Sequence, residues 1–570
     1  MRRALAVSIV PLVVAACVAG QPTDASRAVT HPSITTGPKK IVAAMMSDPP
    51  SISSEVVGAG SGTIQGGDAL EDLVNAGLTE VDDKGTLRPQ LSEVVPTLDN
   101  GLWRLLPDGR METTWTLRAG AVWHDGVPFS VEDLLFTVRI AHDKDVPALR
   151  NDAVDRIERV EGLDDRTVRV TWSEPYIQAD RLFTRRLVFP RPAHILAGPY
   201  DQNKLSVVQL PYWTDEYVGT GPFRLQQWVA GARLILAAND RYVLGRPKLD
   251  EIEVRFIPDS STLAANLMAG EVAVTLGRNL SLQQAGQLRD QWKDGVVKIG
   301  IKNWFAAWPQ FVNPDPVALL DLRFRRALIY ALDRQQIVET LQEGLVPVAD
   351  TFLSPTDPAF PSIESRIVRY PYDRDRASQL MEDLGASPGR DGTWVDATGQ
   401  PIRLEVRTDG GGGDDAQETT ALVVADHWKR FGIAAEPLVI SQLQRRDREY
   451  NSTFPGVRVW RLPNDAWTLD RYESKSAPLP ENHFNGGNRS RYMNSEFDGL
   501  VERYMRTIPE GPRTEVLGQI IHHMTDQLTV LGLYYNTEPL LVNRSLTGVT
   551  ARDVGETTEA WNAHEWDVKW

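Results

Sequence analysis

A single cysteine, Cys17, stands in the whole chain, which excludes an internal disulfide framework and a cysteine-rich metal site. Histidine is scarce as well. None of the 9 histidines falls in H-E-x-x-H or comparable ligand spacing, and His522-His523 would point to different helix faces. Basic residues are outnumbered, 61 Lys and Arg against 76 Asp and Glu, giving a net charge of -15. A field of that sign repels polyanions, so general binding to nucleic acid is excluded. Beyond the N-terminus no segment offers about 18 uninterrupted apolar residues, so the body does not span a membrane as a helix. The glycines at 58–67 fit neither a dinucleotide nor a Walker pattern, and Ser61 is outside a G-x-S-x-G frame. They read as a loop.

What is present begins at the N-terminus. Arg2 and Arg3 precede a short apolar run, Ala4 to Val14, interrupted by Pro11. This is the length of a signal peptide and too short to cross a bilayer. Val14-Ala15-Ala16-Cys17 resembles a bacterial lipobox, in which the cysteine sulfur carries a lipid. Residues 1–16 are therefore expected to be a signal peptide. Residues 17–38, small, polar and dotted with proline, are expected to be a flexible tether anchored through Cys17.

At 570 residues the remainder is long enough for two or three domains. Lys39 to Met46 forms an apolar run that predicts a buried strand, stopped by Pro49 and Pro50. Thr114 to Arg118 alternates with a period of two and predicts a half-buried strand. Ser130 and Asp133 have capping-box spacing before Leu134, Leu135, Val138 and Ala141, which share a helical face. A second helix is predicted from Asp321 with the stripe Phe324, Ala327, Leu328 and Ala331. A third is capped by Asp333 with Gln336. Strands such as 249–256 lie between helices, so the class is mixed α/β.

Five blocks carry a resemblance. Trp115-Thr-Leu-Arg118 leads through Trp123-His-Asp-Gly-Val-Pro-Phe129 to Glu132-Asp133. Then follow Gly219-Thr-Gly-Pro-Phe223, the Asp321 to Arg334 helix pair, Pro371-Tyr-Asp373 with Ala377 and Leu380, and Asn494-Ser-Glu-Phe-Asp-Gly-Leu500. In this order they resemble the family 5 bacterial extracellular solute-binding proteins, over roughly residues 40–550. The blocks read as structural, not catalytic: glycines and prolines fix turns, and Asp or Ser caps helices. His124 and Asp125 read as a turn-forming pair.

The resemblance implies a type II periplasmic-binding-protein fold, two α/β lobes with a hinge plus an inserted domain. Residues 39–62, 205–297 and 528–570 would form the first lobe, 63–204 the insert and 298–527 the second lobe. It implies a monomeric receptor that is exported, periplasmic or lipid-anchored at the outer face of the cytoplasmic membrane. The receptor would pass a peptide-like solute to ABC permease subunits, without cofactor, metal or catalytic residue. In peptide-binding members a segment resembling Arg-x-Gly-Trp-x-x-Asp lines the cleft. Here Arg458 and Trp460 take its basic and aromatic positions, while Val459 replaces the glycine and Pro463 the aspartate. Asp465 is the expected substitute for amine recognition. Alternatively Arg458 and Arg461 face an anionic group. Trp304 and Trp308, in an aromatic cluster with Phe305 and Phe311, and Trp467 are further expected contacts. The Pro463 departure keeps open a non-peptide solute such as an oligosaccharide or an anionic conjugate. A secreted hydrolase or surface sensor is the reading from another class.

Overall fold

The computed structural model describes residues 37–56, 64–410, 415–552, 554–555 and 557–569. Cys17 lies outside them, as do residues 57–63 and 411–414.

The apolar run at the start of the body forms β1 (Lys40–Met45), with Ala43, Ala44 and Met45 fully buried. It is covered on both faces because its neighbours are parallel, and parallel strands are normally buried on both sides. Nine more strands complete one sheet: β2 (Phe223–Val229), β3 (Arg233–Ala238), β4 (Glu251–Phe256), β5 (Val274–Thr275), β6 (Gly295–Pro309), β7 (Arg403–Asp409), β8 (Ala434–Ile440), β9 (Val457–Pro463) and β10 (Leu531–Asn543). Their order is β8-β7-β9-β6-β10-β5-β1-β4-β3-β2. The two long strands, β6 and β10, pair antiparallel along most of their length and join the two halves of the sheet. One end of the pair meets β5 through Val542, and the other end carries β9 along residues 303–309. The register slips between Ile301 and Asn303, where the pair passes from one half to the other. Such an irregularity bends and twists a strand locally.

Residues 103–172 hold a separate four-stranded antiparallel sheet, built from Trp103–Leu105, Met111–Thr116, Ile157–Gly162 and Thr167–Trp172. The predicted alternation appears there: Met111, Thr113 and Trp115 are buried, and the residues between them less so. Helix α1 (Gly67–Val74) precedes this sheet, and α2 (Val131–Ala141) lies between its strands. Asp133 does more than cap α2. Its carboxylate accepts the Ser130 N–H at 2.9 Å, the Ala193 N–H at 2.9 Å and the Trp123 indole N–H at 3.1 Å. Burial raises the Asp133 pKa, against the pull of these donors. The buried arc of α2 is wider than the predicted stripe, since Phe136 and Ile140 are buried while Leu135 and Val138 are only half-buried. Both surfaces of this helix meet protein.

The second half contains α3 (Leu322–Tyr330), α4 (Arg334–Gln342), α5 (Asp415–Phe431), α6 (Ser495–Arg506) and α7 (Glu510–Asp526). The stripe Phe324, Ala327, Leu328 and Ala331 is buried as its spacing predicts. Burial of Leu328 alone stabilises by about 1.5–3 kcal/mol. Asp333 caps α4 by accepting the Gln336 N–H at 3.0 Å.

His124 links two of the sequence blocks. Its Nδ1 accepts the Gly219 N–H at 3.1 Å, which leaves Nε2–H to donate to the Gly221 carbonyl at 3.1 Å. Burial pushes its pKa down to about 4, so the ring is neutral at pH 7. The glycines it holds cannot be replaced: a Cβ on Gly219 would sit 2.1 Å from the Val74 carbonyl oxygen. The His-Asp-Gly block is thus a clamp on the Gly-Thr-Gly-Pro turn, a structural task.

Candidate functional site

The pairing directions locate the site before any side chain is considered. In the first half β1, β4 and β5 are mutually parallel, with carboxyl ends at Met45, Phe256 and Thr275. In the second, β7, β8 and β9 are parallel, ending at Asp409, Ile440 and Pro463. Because β5 and β9 meet the long pair at opposite ends and in opposite senses, both sets of carboxyl ends point towards its middle, near Asn303 and Asn536. Ligands of open α/β sheets bind beyond the carboxyl ends of the strands. Here two such positions face one another.

A chain of paired charges occupies this middle. Lys302 Nζ lies 3.1 Å from Asp68 at the start of α1, and Arg552 grips the same carboxylate at 3.0 and 3.3 Å. Arg552 Nε also donates to Glu559, whose other oxygen accepts the Gly277 N–H just beyond β5. Asn303 donates to Glu538 at 2.6 Å across the long strands, with Arg278 at 3.9 Å from the same oxygen. Asp72 takes Arg185 at 3.0 Å and the Thr558 hydroxyl at 2.6 Å. Burial alone would raise the Asp68 pKa, but Arg552, Lys302 and Arg185 outweigh it and hold the carboxyl well below its usual range. Burial, then Arg552, lowers Lys302, with Asp68 opposing. Each cation here has a carboxylate within reach.

Asn464 directly follows β9 at this point and is buried. Its amide donates to the Ile301 carbonyl at 3.0 Å, while its Oδ1 has no donor among the described residues. A buried acceptor left open is unusual and calls for a partner. No spacing in the sequence marks it, since a lone Asn between Pro463 and Asp465 carries no sign that its carbonyl oxygen will be buried.

The expected contacts divide. Arg458 is enclosed: its Nη2 pairs with Asp409, and its Nη1 donates to the Asn451 carbonyl at 3.0 Å and side-chain oxygen at 2.7 Å. Arg461 pairs with Phe305 in the β6 register and Arg458 with Trp308, so the two arginines, three apart, lie on opposite faces of β9. They do not converge on one anion, and that alternative is corrected by the strand period. Trp304 and Trp308 share the Arg458 face and are buried; Trp304 packs on Trp308 and Phe352. Both are packed in the core, and Trp308 also stacks on Tyr472. Trp460 is half-buried beneath two guanidiniums, Arg458 at 5.0 Å and Arg489 at 4.5 Å from its ring. Asp465 caps the following turn by accepting the Trp467 N–H at 3.0 Å. Trp467 bridges the molecule: Arg181 stacks on its ring at 3.7 Å and Gln178 donates to its carbonyl at 2.7 Å. Among the described residues no group of three or more His, Cys, Asp or Glu is placed to hold a metal ion.

Two α/β half-sheets joined by crossing strands, with carboxyl ends opposed, define the type II periplasmic-binding-protein fold with an inserted domain. Residues 93–477 match the model for bacterial extracellular solute-binding proteins, family 5 (middle), and the chain belongs to that family. It is 23% identical over 492 residues to the oligopeptide-binding protein AppA of Bacillus subtilis, covering 84% of each chain. The structure of that AppA in complex with a nonapeptide superposes with a TM-score of 0.73 at 21% identity, over 94% of this chain and 100% of the other. NikZ from Campylobacter jejuni, in complex with Ni(L-His), gives 0.72 at 20% identity over 93% and 99%.

Proposed function

We propose that the chain is the substrate-binding component of an ABC importer, capturing a peptide or peptide-like solute between its two halves and delivering it to membrane permease subunits. The observation that carries this reading is the open acceptor of Asn464, set where the carboxyl ends of both half-sheets converge. An acceptor there suits a solute amine, amide or hydroxyl donor. The kinship with an oligopeptide-binding relative gives the solute class. No catalyst is needed. Solute that touches both halves does so only when they are closed, and therefore shifts the population towards the closed form that a permease recognises. The contacts of Trp467 with Arg181 and Gln178 belong to that closed form.

A non-peptide solute is the second reading, motivated by Pro463 at the position expected to hold an aspartate. Isothermal titration of the mature protein against tripeptides, longer peptides and oligosaccharides separates the two. Peptide binding that weakens about tenfold in Asn464→Leu is expected, the yield of one lost buried hydrogen bond. Binding of sugars alone overturns the peptide assignment. Turnover of a bound solute overturns the receptor itself.

The same reading places the protein outside the cytoplasm on a lipid at Cys17. Cys17→Ser is expected to abolish incorporation of labelled fatty acid and leave solute affinity unchanged. Persistent lipidation of that variant removes the anchor from the proposal.

A further inference from the structure

A small cavity lies within the second half, against the Arg458 face of β9. Trp308, Trp460, Tyr472, Arg489, Ser490 and Tyr492 are among the residues around it. It leaves about 20 Å³ free, and a water needs roughly 10–15 Å³. Only a compact group fits. Trp308 stacks on Tyr472 with ring centres 5.7 Å apart, fixing one wall. Asn488 fixes the segment before Arg489 by donating to the carbonyls of Tyr472, Glu473 and Tyr492 at 2.8–3.2 Å. His483, Phe484 and Arg491 all have positive φ, near 54°, which non-glycine residues rarely adopt. Backbone held in that region clusters at functional sites.

Arg489 is the anomaly. Its guanidinium lies over the Trp460 ring, yet it has no hydrogen-bond or ion-pair partner among the described residues, and its Nε is enclosed. The strongest charges acting on it are Arg458, Arg445 and Arg471 on one side and Asp409 on the other. Asp409 is already paired with Arg458. The Ser490 hydroxyl next to it is also buried, with no hydrogen-bond partner among the described residues. Arg489 as a whole is half-buried, so its guanidinium, stacked on an aromatic face and bound to no carboxylate, is open to an anionic group, and arginine keeps its charge at pH 7. Burial, then Arg458, lowers its pKa to about 9, which leaves it charged.

We propose that this cavity is a subsite for one anionic group of the captured solute, a carboxylate held by Arg489 and Ser490 against Trp460. The assignment rests on the receptor reading and deepens it, naming an acidic solute class. It does not involve Asn464. Cationic nitrogen and hydroxyl donors beside an aromatic face match a carboxylate, and a neutral amide would leave the charge unmet.

The test compares the tripeptides Ala-Glu-Ala and Ala-Gln-Ala and the free anion benzoate, titrated into wild type, Arg489→Gln and Arg489→Lys. The expected result is about tenfold or greater preference of wild type for Ala-Glu-Ala, the yield of one charge-assisted hydrogen bond. Arg489→Gln should lose the preference and Arg489→Lys retain part of it. Ala-Gln-Ala should bind wild type and Arg489→Gln alike, which shows the variant is folded. Equal binding of both peptides to wild type overturns the subsite and leaves the peptide receptor standing. Arg489-dependent benzoate binding with no peptide binding supports the subsite and overturns the peptide reading. If neither peptide nor benzoate binds, the subsite is overturned.

Discussion

The middle of the long strands and the cavity under Trp460 both place charge against packed side chains, and they handle it in opposite ways. At the middle, Lys302 and Arg552 share Asp68, and Arg552 also holds Glu559. In the cavity Arg489 pairs with no carboxylate among the described residues, because Asp409, the acid acting on it, is taken by Arg458. Glu71, beside Asp72 in α1, shows a third solution. Burial, then the neighbouring Glu55, raises its pKa to about 8, so it is neutral at pH 7, and Ser54 donates to it at 3.1 Å. A buried carboxyl can take up a proton; an arginine cannot give one up near neutrality. Pairing and neutralisation settle the first two cases, whereas the guanidinium of Arg489 is left for the proposed anionic group.

The comparison breaks first at Arg552. Arg552→Met leaves Glu559, buried at 1% side-chain exposure, without its cation, and should cost about 3–5 kcal/mol in chemical denaturation. A loss under 1 kcal/mol would mean the network is idle. Next is Glu71. Its folded pKa is raised above the unfolded value of about 4.5, so the stability it contributes is complete below pH 4.5 and declines as pH rises through about 8. Glu71→Gln should flatten that decline by about 2–4 kcal/mol between pH 5 and 8, read from urea midpoints across pH. Arg489→Gln is expected to do the reverse of Arg552→Met: stability unchanged or raised by about 1 kcal/mol, because no partner is orphaned. A large loss would place Arg489 with the structural ions. The smallest effect belongs to Trp467→Ala, which removes the Arg181 stack, worth about 0.5–1 kcal/mol. It should weaken solute binding two- to fivefold with little change in melting temperature.

Much of the scaffold was legible because its signals are local. The β1 run, the Asp133 and Asp333 caps and the α3 stripe each depend on residues within a few positions of one another. The site was less legible because its contacts are remote. Asp68 and Arg552 are 484 residues apart, and Arg458 meets Asp409 across 49. Trp304 and Trp308 could not be assigned from sequence, since aromatic residues two or four apart on a strand look alike whether they face a core or a cleft. The separation of Arg458 from Arg461 was available in the strand period. Arg489 carried at most a faint signal, the basic and polar run Asn488-Arg-Ser-Arg491 in a loop rich in Asn and Gly, and nothing in it revealed the lack of a paired acid.

The placement of β10 bears on how the molecule is made. It lies at residues 531–543, yet it is the strand between β6 and β5, near the centre of the sheet. A chain emerging from its N-terminus therefore lays down nine of the ten strands before the one that unites them. Until residue 543 is free, β5 and the first half of β6 present open edges, the kind of surface to which other chains add. The two halves can collapse early, but the seam closes last, and a chain truncated before residue 531 would carry both edges permanently.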